Sequence, residues 1–258
     1  MSSVRIHPSA VVEPGAELGA GVVIGPLCYV ATNVTLGEAT ELVAHATVLG
    51  PTKIGKRNKI YPYATLGAPP QDKSYGGEPT ELVLGDDNEI REQATIHRGT
   101  AKGGGFTRIG SRCLLMVGAH VAHDCEIEDD VVLTNLATLG GHVRVDRNAV
   151  LGGHVAIAPF VRIGRGAFVA GGACVEHDVP PFVIAAGDRA RVRALNRVGL
   201  SRMGVPDVSR QHLERAFRMI WRSGEPIAAG LRAARVELSG DVWVCELLEF
   251  CESPRGKE

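Results

Sequence analysis

The residues best equipped for chemistry lie in AHVAHDC, 119–125, where His120 and His123 stand three apart and Asp124 follows. Two imidazoles with an adjacent carboxylate, on a background of Ala, Val and Gly, are candidates for proton transfer. A second segment, LGGHV at 139–143, offers Gly141 and His142. Three histidines and an aspartate could also ligate zinc, but no fixed-spacing ligand motif supports a metal. GxSxG is absent, so a covalent acyl-enzyme is not favoured. The GGG at 103–105 lacks the GK[ST] of a phosphate loop, and no cofactor is expected.

What must position these groups is visible as a repeat. Stepping by six from Ile6 meets Val12, Leu18, Ile24, Val30, Leu36, Leu42, Val48, Ile54, Ile60 and Leu66 without a failure. The phase resumes at Leu84, Ile90 and Ile96, then restarts one residue out of step at Ile109 and runs to Val175. A small residue stands two before many of these aliphatics, as in Ala46, Ala94, Ala119 and Ala137. A period of six is foreign to an amphipathic helix and suits short strands joined by tight turns. One large and one small inward residue per hexad describes a parallel β-helix, whose coils must stack to bury their apolar faces.

This pattern resembles the hexapeptide-repeat acyltransferases, which implies three-sided, left-handed coils of about eighteen residues. On that geometry Gly141 lies one coil beyond His123 in the same column, at the strand spacing of roughly 4.8 Å. A base beside an unencumbered N–H donor is the minimum apparatus for acyl transfer: one takes the nucleophile's proton, the other holds the oxyanion. His142 falls in the column of Asp124.

Two stretches interrupt the repeat: 68–81 (APPQDKSYGGEPTE) and 98–108 (RGTAKGGGFTR), both read as loops leaving the coil. After DVPP (178–181) the hexads stop and the chain is expected to turn helical. Leu213, Ala216, Phe217, Ile220 and Trp221 form an amphipathic stripe, broken at Ser223-Gly224 and Pro226, with one or two helices beyond. The chain therefore divides into a mainly β unit at 1–187, a left-handed parallel β-helix, and a small α-helical C-terminal domain at 188–258.

Composition excludes several classes. Lys+Arg 28 against Asp+Glu 29 gives a net charge of -1, against a wholesale nucleic-acid binder. No apolar stretch is long enough to span a bilayer, and MSSVRIHPSA lacks a signal peptide, so a cytoplasmic protein is expected. Cys28, Cys113 and Cys125 fall where the repeat uses small residues and read as buried filler; no CxxC appears.

At finer grain, QDKSYGGEPTEL (71–82), IREQATIHRGT (90–100), LLMVGAHVAHDC (114–125), LATLGGHV (136–143), DVPPFVIAAGD (178–188) and NRVGLSRMG (196–204) are similar to one subfamily. It is the UDP-N-acetylglucosamine O-acyltransferases of lipid A biosynthesis, and the similarity covers essentially the whole chain. The resemblance implies a homotrimer with clefts between subunits, passing a 3-hydroxyacyl group from acyl carrier protein to the glucosamine 3-hydroxyl. It implies His123 as general base, Asp124 as its orienting carboxylate and the Gly141 N–H as oxyanion donor. Asp72 would bond the sugar, His120 and His142 line the cleft, and Asn196 and Arg202 hold the nucleotide. Arg202 belongs to a basic run (Arg189, Arg191, Arg193, Arg197) suited to a diphosphate or the acidic carrier. Gly171 matches a position that gates acyl length. It lies 2.7 coils, roughly 13 Å, beyond His123, and having no side chain it implies a long chain.

The departures are Ser74 for a lysine, Ala158 and Arg189 for histidines, Pro159 for a glutamine, Val198 for a glutamate and Met203 for an arginine. They touch the contacts to donor and nucleotide and spare the base. Two alternatives remain at this level: N-acylation of an amino sugar, and a non-catalytic β-helix that binds sugar nucleotide or carrier protein.

Overall fold

A computed structural model describes residues 3–253; the outer ends of the two expected units, 1–2 and 254–258, lie outside the described residues. Each hexad becomes a two-residue strand and a turn, and the strands stack into three sheets of 11, 9 and 8 strands. These are the three faces of a left-handed β-helix. The first face begins at Arg5–Ile6, the second at Val11–Val12, the third at Glu17–Leu18. Register follows the repeat: Ile6 opposes Ile24, Ile24 opposes Leu42, and Leu42 opposes Ile60. Hexad aliphatics and their small partners, such as Ala119 with Val121 and Ala137 with Leu139, are fully buried. The lowest coil has no rung beneath it, and Ile6 and Val11 are exposed.

The two loops account for the phase of the repeat. Ile60 pairs with Ile90, thirty residues on, so the first insertion adds 30 − 18 = 12 residues and leaves the six-residue phase intact. Ile90 pairs with Leu115, so the second adds 25 − 18 = 7 and shifts the phase by one. Both leave from the same corner, where the second face turns into the third. The first departs after Thr65–Ala68 and rejoins at Glu81–Leu84; the second departs after Thr95–His97 and rejoins at Phe106–Ile109. Part of the stretch expected as loop, 106–108, is therefore strand.

Buried asparagines tie the rungs that bracket these insertions. Asn88 Nδ2 donates to Asn58 Oδ1 at 2.9 Å, and Asn88 Oδ1 accepts from the Cys113 amide at 2.8 Å. Cys28, Cys113 and Cys125 are buried free thiols, the last two pushed up to about 11 and about 12 by burial.

The chain does not turn helical directly after 181. Val183–Ala186 adds one more parallel strand to the first face, and Arg191–Leu195 returns antiparallel to it. The alternation in RVRAL puts Arg191 and Arg193 outward and closes that sheet edge with a hairpin. Then come α1 (Arg197–Arg202), α2 (Asp207–Trp221), α3 (Ile227–Leu238) and α4 (Val242–Glu252). In α2 the buried residues are Leu213, Ala216, Phe217 and Ile220, the stripe read from spacing. The helices dock on the last coils through α4: Arg165 lies over the Trp243 ring at 4.4 Å and bonds Glu246 at 3.2 Å. Among the described residues no helix is long and apolar enough to cross a membrane.

Candidate active site

Four successive levels of the second-to-third-face corner build one site: loop 69–80, loop 98–105, the turn His123–Asp124, and the turn Gly141–His142. Stacking makes them neighbours. The His142 amide donates to the His123 carbonyl at 3.0 Å, and the Phe160 amide to the Gly141 carbonyl at 3.1 Å. Asp124 and His142 hold left-handed backbone conformations, φ 59° and 60°, as do most residues at this turn position around the helix.

His123 Nδ1 lies 2.7 Å from Asp124 Oδ2. A carboxylate only accepts, so Nδ1 carries a hydrogen, and in the neutral ring the lone pair is on Nε2. The Asp124 side chain is 1% exposed and is satisfied from loop 98–105. The Thr100 amide donates to Oδ1 at 2.7 Å and the Thr100 hydroxyl to Oδ2 at 2.7 Å. Gly103 packs against the same carboxylate so closely that a Cβ there would stand 2.1 Å from its carbon.

Gly141 lies directly against the imidazole: a Cβ at that position would stand 2.6 Å from His123 Cε1 and 2.8 Å from Nε2. Its amide donates to no acceptor among the described residues, while the amides of Gly140 and His142 on either side pair with adjacent rungs. At this corner the His123 imidazole stands beside Gly141. His142 meets His123 edge-on with centroids 5.3 Å apart, lies 3.5 Å from Asp124 and stacks on Phe160 at 4.5 Å. Burial pushes His142 below the ordinary imidazole value, against the opposing pull of Asp124. An open cleft of about 370 Å³ runs past Gly103, Asp124, His142 and Phe160. The donor atoms of His123, Asp124 and His142 all lie within 4.8 Å, and the His123–Asp124 hydrogen bond already engages two of them.

The other expected site residues divide into two groups. His120 stands one turn before the dyad, its Nδ1 bonded to Thr95 Oγ at 2.7 Å and its ring edge-on to His97 at 5.3 Å. Burial, with a smaller push from His97, keeps it below the ordinary value. Asp72 hangs from loop 69–80 and accepts from both the amide and the hydroxyl of Ser74 at 2.8 Å. Those bonds, aided by the charges of His123 and Lys102, hold its carboxyl below the usual range. Ser74, a departure from the family pattern, thus orients Asp72.

Asn196, Arg202 and Gly171 are not at this corner. Asn196 caps α1, its Oδ1 accepting from the Gly199 amide at 3.0 Å and its Nδ2 donating to the Gly166 carbonyl at 2.9 Å. With Arg202, Val198 and Met203 it lines a cavity of about 470 Å³ over the first face, against Phe168 and Ile184. Gly171 occupies the corner between first and second faces, beside Gly153, 3.2 Å from that carbonyl oxygen to a Cβ placed on it. Its axial offset from His123 therefore includes a change of corner. Sequence reasoning missed Thr100, His97 and Phe160. Thr100 and His97 stand in a quoted motif, IHRGT, yet no periodicity joins them to their partners; His97 Nδ1–H donates to the Pro69 carbonyl at 2.7 Å.

Comparison with known proteins bears on the whole chain. Residues 178–257 match the family model described as UDP-N-acetylglucosamine O-acyltransferase, domain 2. The UDP-N-acetylglucosamine acyltransferase from Campylobacter jejuni is 39% identical, with 98% of each chain covered and a TM-score of 0.91. The Bacteroides fragilis enzyme is 34% identical over 98% of this chain and 99% of its own, TM-score 0.94. LpxA from Acinetobacter baumannii is 35% identical over 97% and 98%, TM-score 0.92. With identity above a third, coverage nearly complete and the His–Asp–Gly corner in place, this chain belongs to the UDP-N-acetylglucosamine O-acyltransferase family.

Proposed function

We propose that this chain moves a 3-hydroxyacyl group from the thioester of acyl carrier protein to the 3-hydroxyl of UDP-N-acetylglucosamine, the first step of lipid A biosynthesis. The observation that carries the reading is the contact between the His123 imidazole and Gly141, with Nε2 the free ring nitrogen. His123 Nε2 takes the hydroxyl proton while the sugar oxygen attacks the thioester carbonyl. The tetrahedral oxyanion accepts from the Gly141 N–H, a donor fixed in advance by the turn. Collapse breaks the C–S bond, and the imidazolium returns the proton to the departing thiolate, leaving ester and free carrier thiol. Asp124 holds the tautomer and stabilises the transient imidazolium.

The partners follow the same reasoning. The dyad and the cavity of Asn196 and Arg202 lie on different sides of one β-helix, which favours a homotrimer whose neighbouring subunits complete each site. Asp72, His120 and His142 then contact the sugar end, and Arg202 the nucleotide. Arg193, Arg197, Arg218 and Arg222 share a cleft with a single carboxylate, Glu214, a surface suited to an acidic carrier protein. Gly171 leaves room for a long acyl chain, and a cytoplasmic location suits both substrates. The test is incubation of the pure protein with UDP-N-acetylglucosamine and 3-hydroxyacyl carrier proteins of several lengths. Acylated sugar nucleotide is expected, reduced at least ~10³-fold in His123→Ala; tight binding without turnover of any donor would leave only a binding protein.

A further inference from the structure

We infer that Thr100 is the positioning residue of the His123–Asp124 dyad, a role that rests on the acyl transfer proposed above. Asp124 sits in a left-handed turn with its side chain 1% exposed, so water cannot hold its carboxylate. Thr100 does so with two donors of its own, the amide on Oδ1 and the hydroxyl on Oδ2, both at 2.7 Å. The hydroxyl has one hydrogen, and its geometry commits it: the Gly103 amide donates to the same oxygen at 3.2 Å, leaving the hydrogen for Asp124. Oδ2 is also the atom that accepts from His123 Nδ1, so the threonine bond sets the plane in which the carboxylate meets the ring. Gly103 walls the far side, where any side chain would collide with the carboxylate. Loop 98–105 is thereby fastened to the dyad at the point where the imidazole is oriented.

Two consequences separate positioning from mere packing. Without the hydroxyl, Oδ2 loses the bond that sets the plane in which it meets the ring. The carboxylate also gains freedom to rotate. Asp124, His142 and Asp72 stand around this ring, and the substitution leaves all three in place. Thr100→Val keeps the shape of the side chain and the backbone donor while deleting the hydroxyl; Thr100→Ser restores it.

The experiment compares wild type, Thr100→Val and Thr100→Ser as full chains, by steady-state kinetics and by proton NMR of the His123 Nδ1–H, assigned by its absence in His123→Ala. Thr100→Val is expected to lower kcat on the order of 10-fold, with KM for UDP-N-acetylglucosamine within about 2-fold. The Nδ1–H resonance should shift or broaden. Thr100→Ser should recover kcat and resonance, and in an Asp124→Asn background Thr100→Val should add no further loss. A folded Thr100→Val with wild-type kcat and an unchanged resonance overturns the inference, as does an equal loss in the serine variant. Thr100→Ala serves the same comparison if the valine variant does not fold. Should wild type turn over no donor, the proposed function fails while the resonance still decides the role of Thr100.

Discussion

At the scale of single residues, the site depends on one position having no side chain. A methyl on Gly141 would stand 2.6 to 3.1 Å from three atoms of the His123 ring, closer than packed atoms allow. The backbone there does not occupy the left-handed region, so alanine meets no conformational penalty and the ring must yield. Gly141→Ala is expected to fold with nearly unchanged Tm and to lose on the order of 10²-fold in kcat, the scale of a base displaced by about 1 Å. Thermal melting beside steady-state kinetics checks this; a fully active Gly141→Ala would mean that the placement of the His123 ring against this position does not set the rate. This contact was legible in sequence because 123 and 141 are separated by one full coil. The bond from Thr100 to Asp124 was not, since it joins an inserted loop to the repeat.

At the scale of elements, the insertions matter as much as the strands. Each loop interrupts the regular strand ladder at its corner, and buried asparagines of the flanking rungs carry hydrogen bonding from one rung to the next. Asn88 accepts from the Cys113 amide and donates to Asn58 Oδ1 and to the Gly110 carbonyl, at 2.8, 2.9 and 3.0 Å. Replacing it with leucine keeps the branched shape of the side chain and strands the Cys113 N–H and the Gly110 C=O. Asn88→Leu is expected to cost about 3 kcal/mol of unfolding free energy, read from the urea midpoint at unchanged m-value. A cost near zero would mean the ladder is dispensable. Loop 69–80 is tied down separately: Arg98 donates to the Gly50 and Gly67 carbonyls and to the Tyr75 hydroxyl, at 3.0, 2.9 and 3.2 Å. That clasp holds the segment bearing Asp72, and its residues follow no repeat that would have announced it.

At the scale of the molecule, one chain holds the residues proposed for the site in two places. The dyad, Gly141, His120 and Asp72 share the second-to-third-face corner, whereas Asn196 and Arg202 border a cavity over the first face. If neighbouring subunits complete each site, two inactive variants should rescue each other. Co-expression of His123→Ala with Arg202→Ala in equal amounts should regenerate roughly a quarter of the wild-type sites by random assembly into a closed ring. Purified mixed oligomers measured against each homo-oligomer decide it. Activity no higher than that of the two parents would place both residues in one chain's site.

Periodicity specified a parallel β-helix and the stripe of α2, and with the eighteen-residue coil implied by the family resemblance it specified the adjacency of imidazole and glycine. In each case a period carries the information: residues a whole number of turns apart become neighbours by geometry alone. The folded chain was needed to show that Arg191–Leu195 folds back as a hairpin, that Ser74 holds Asp72, and that Asn196 caps α1 with Oδ1 while its Nδ2 bonds the Gly166 carbonyl. It alone assigned Gly171 to a different corner from His123 and fastened Thr100 to the dyad. These contacts cross loops, corners or chain reversals, where separation along the polymer has no fixed relation to distance in space and closure of the whole coil sets what touches.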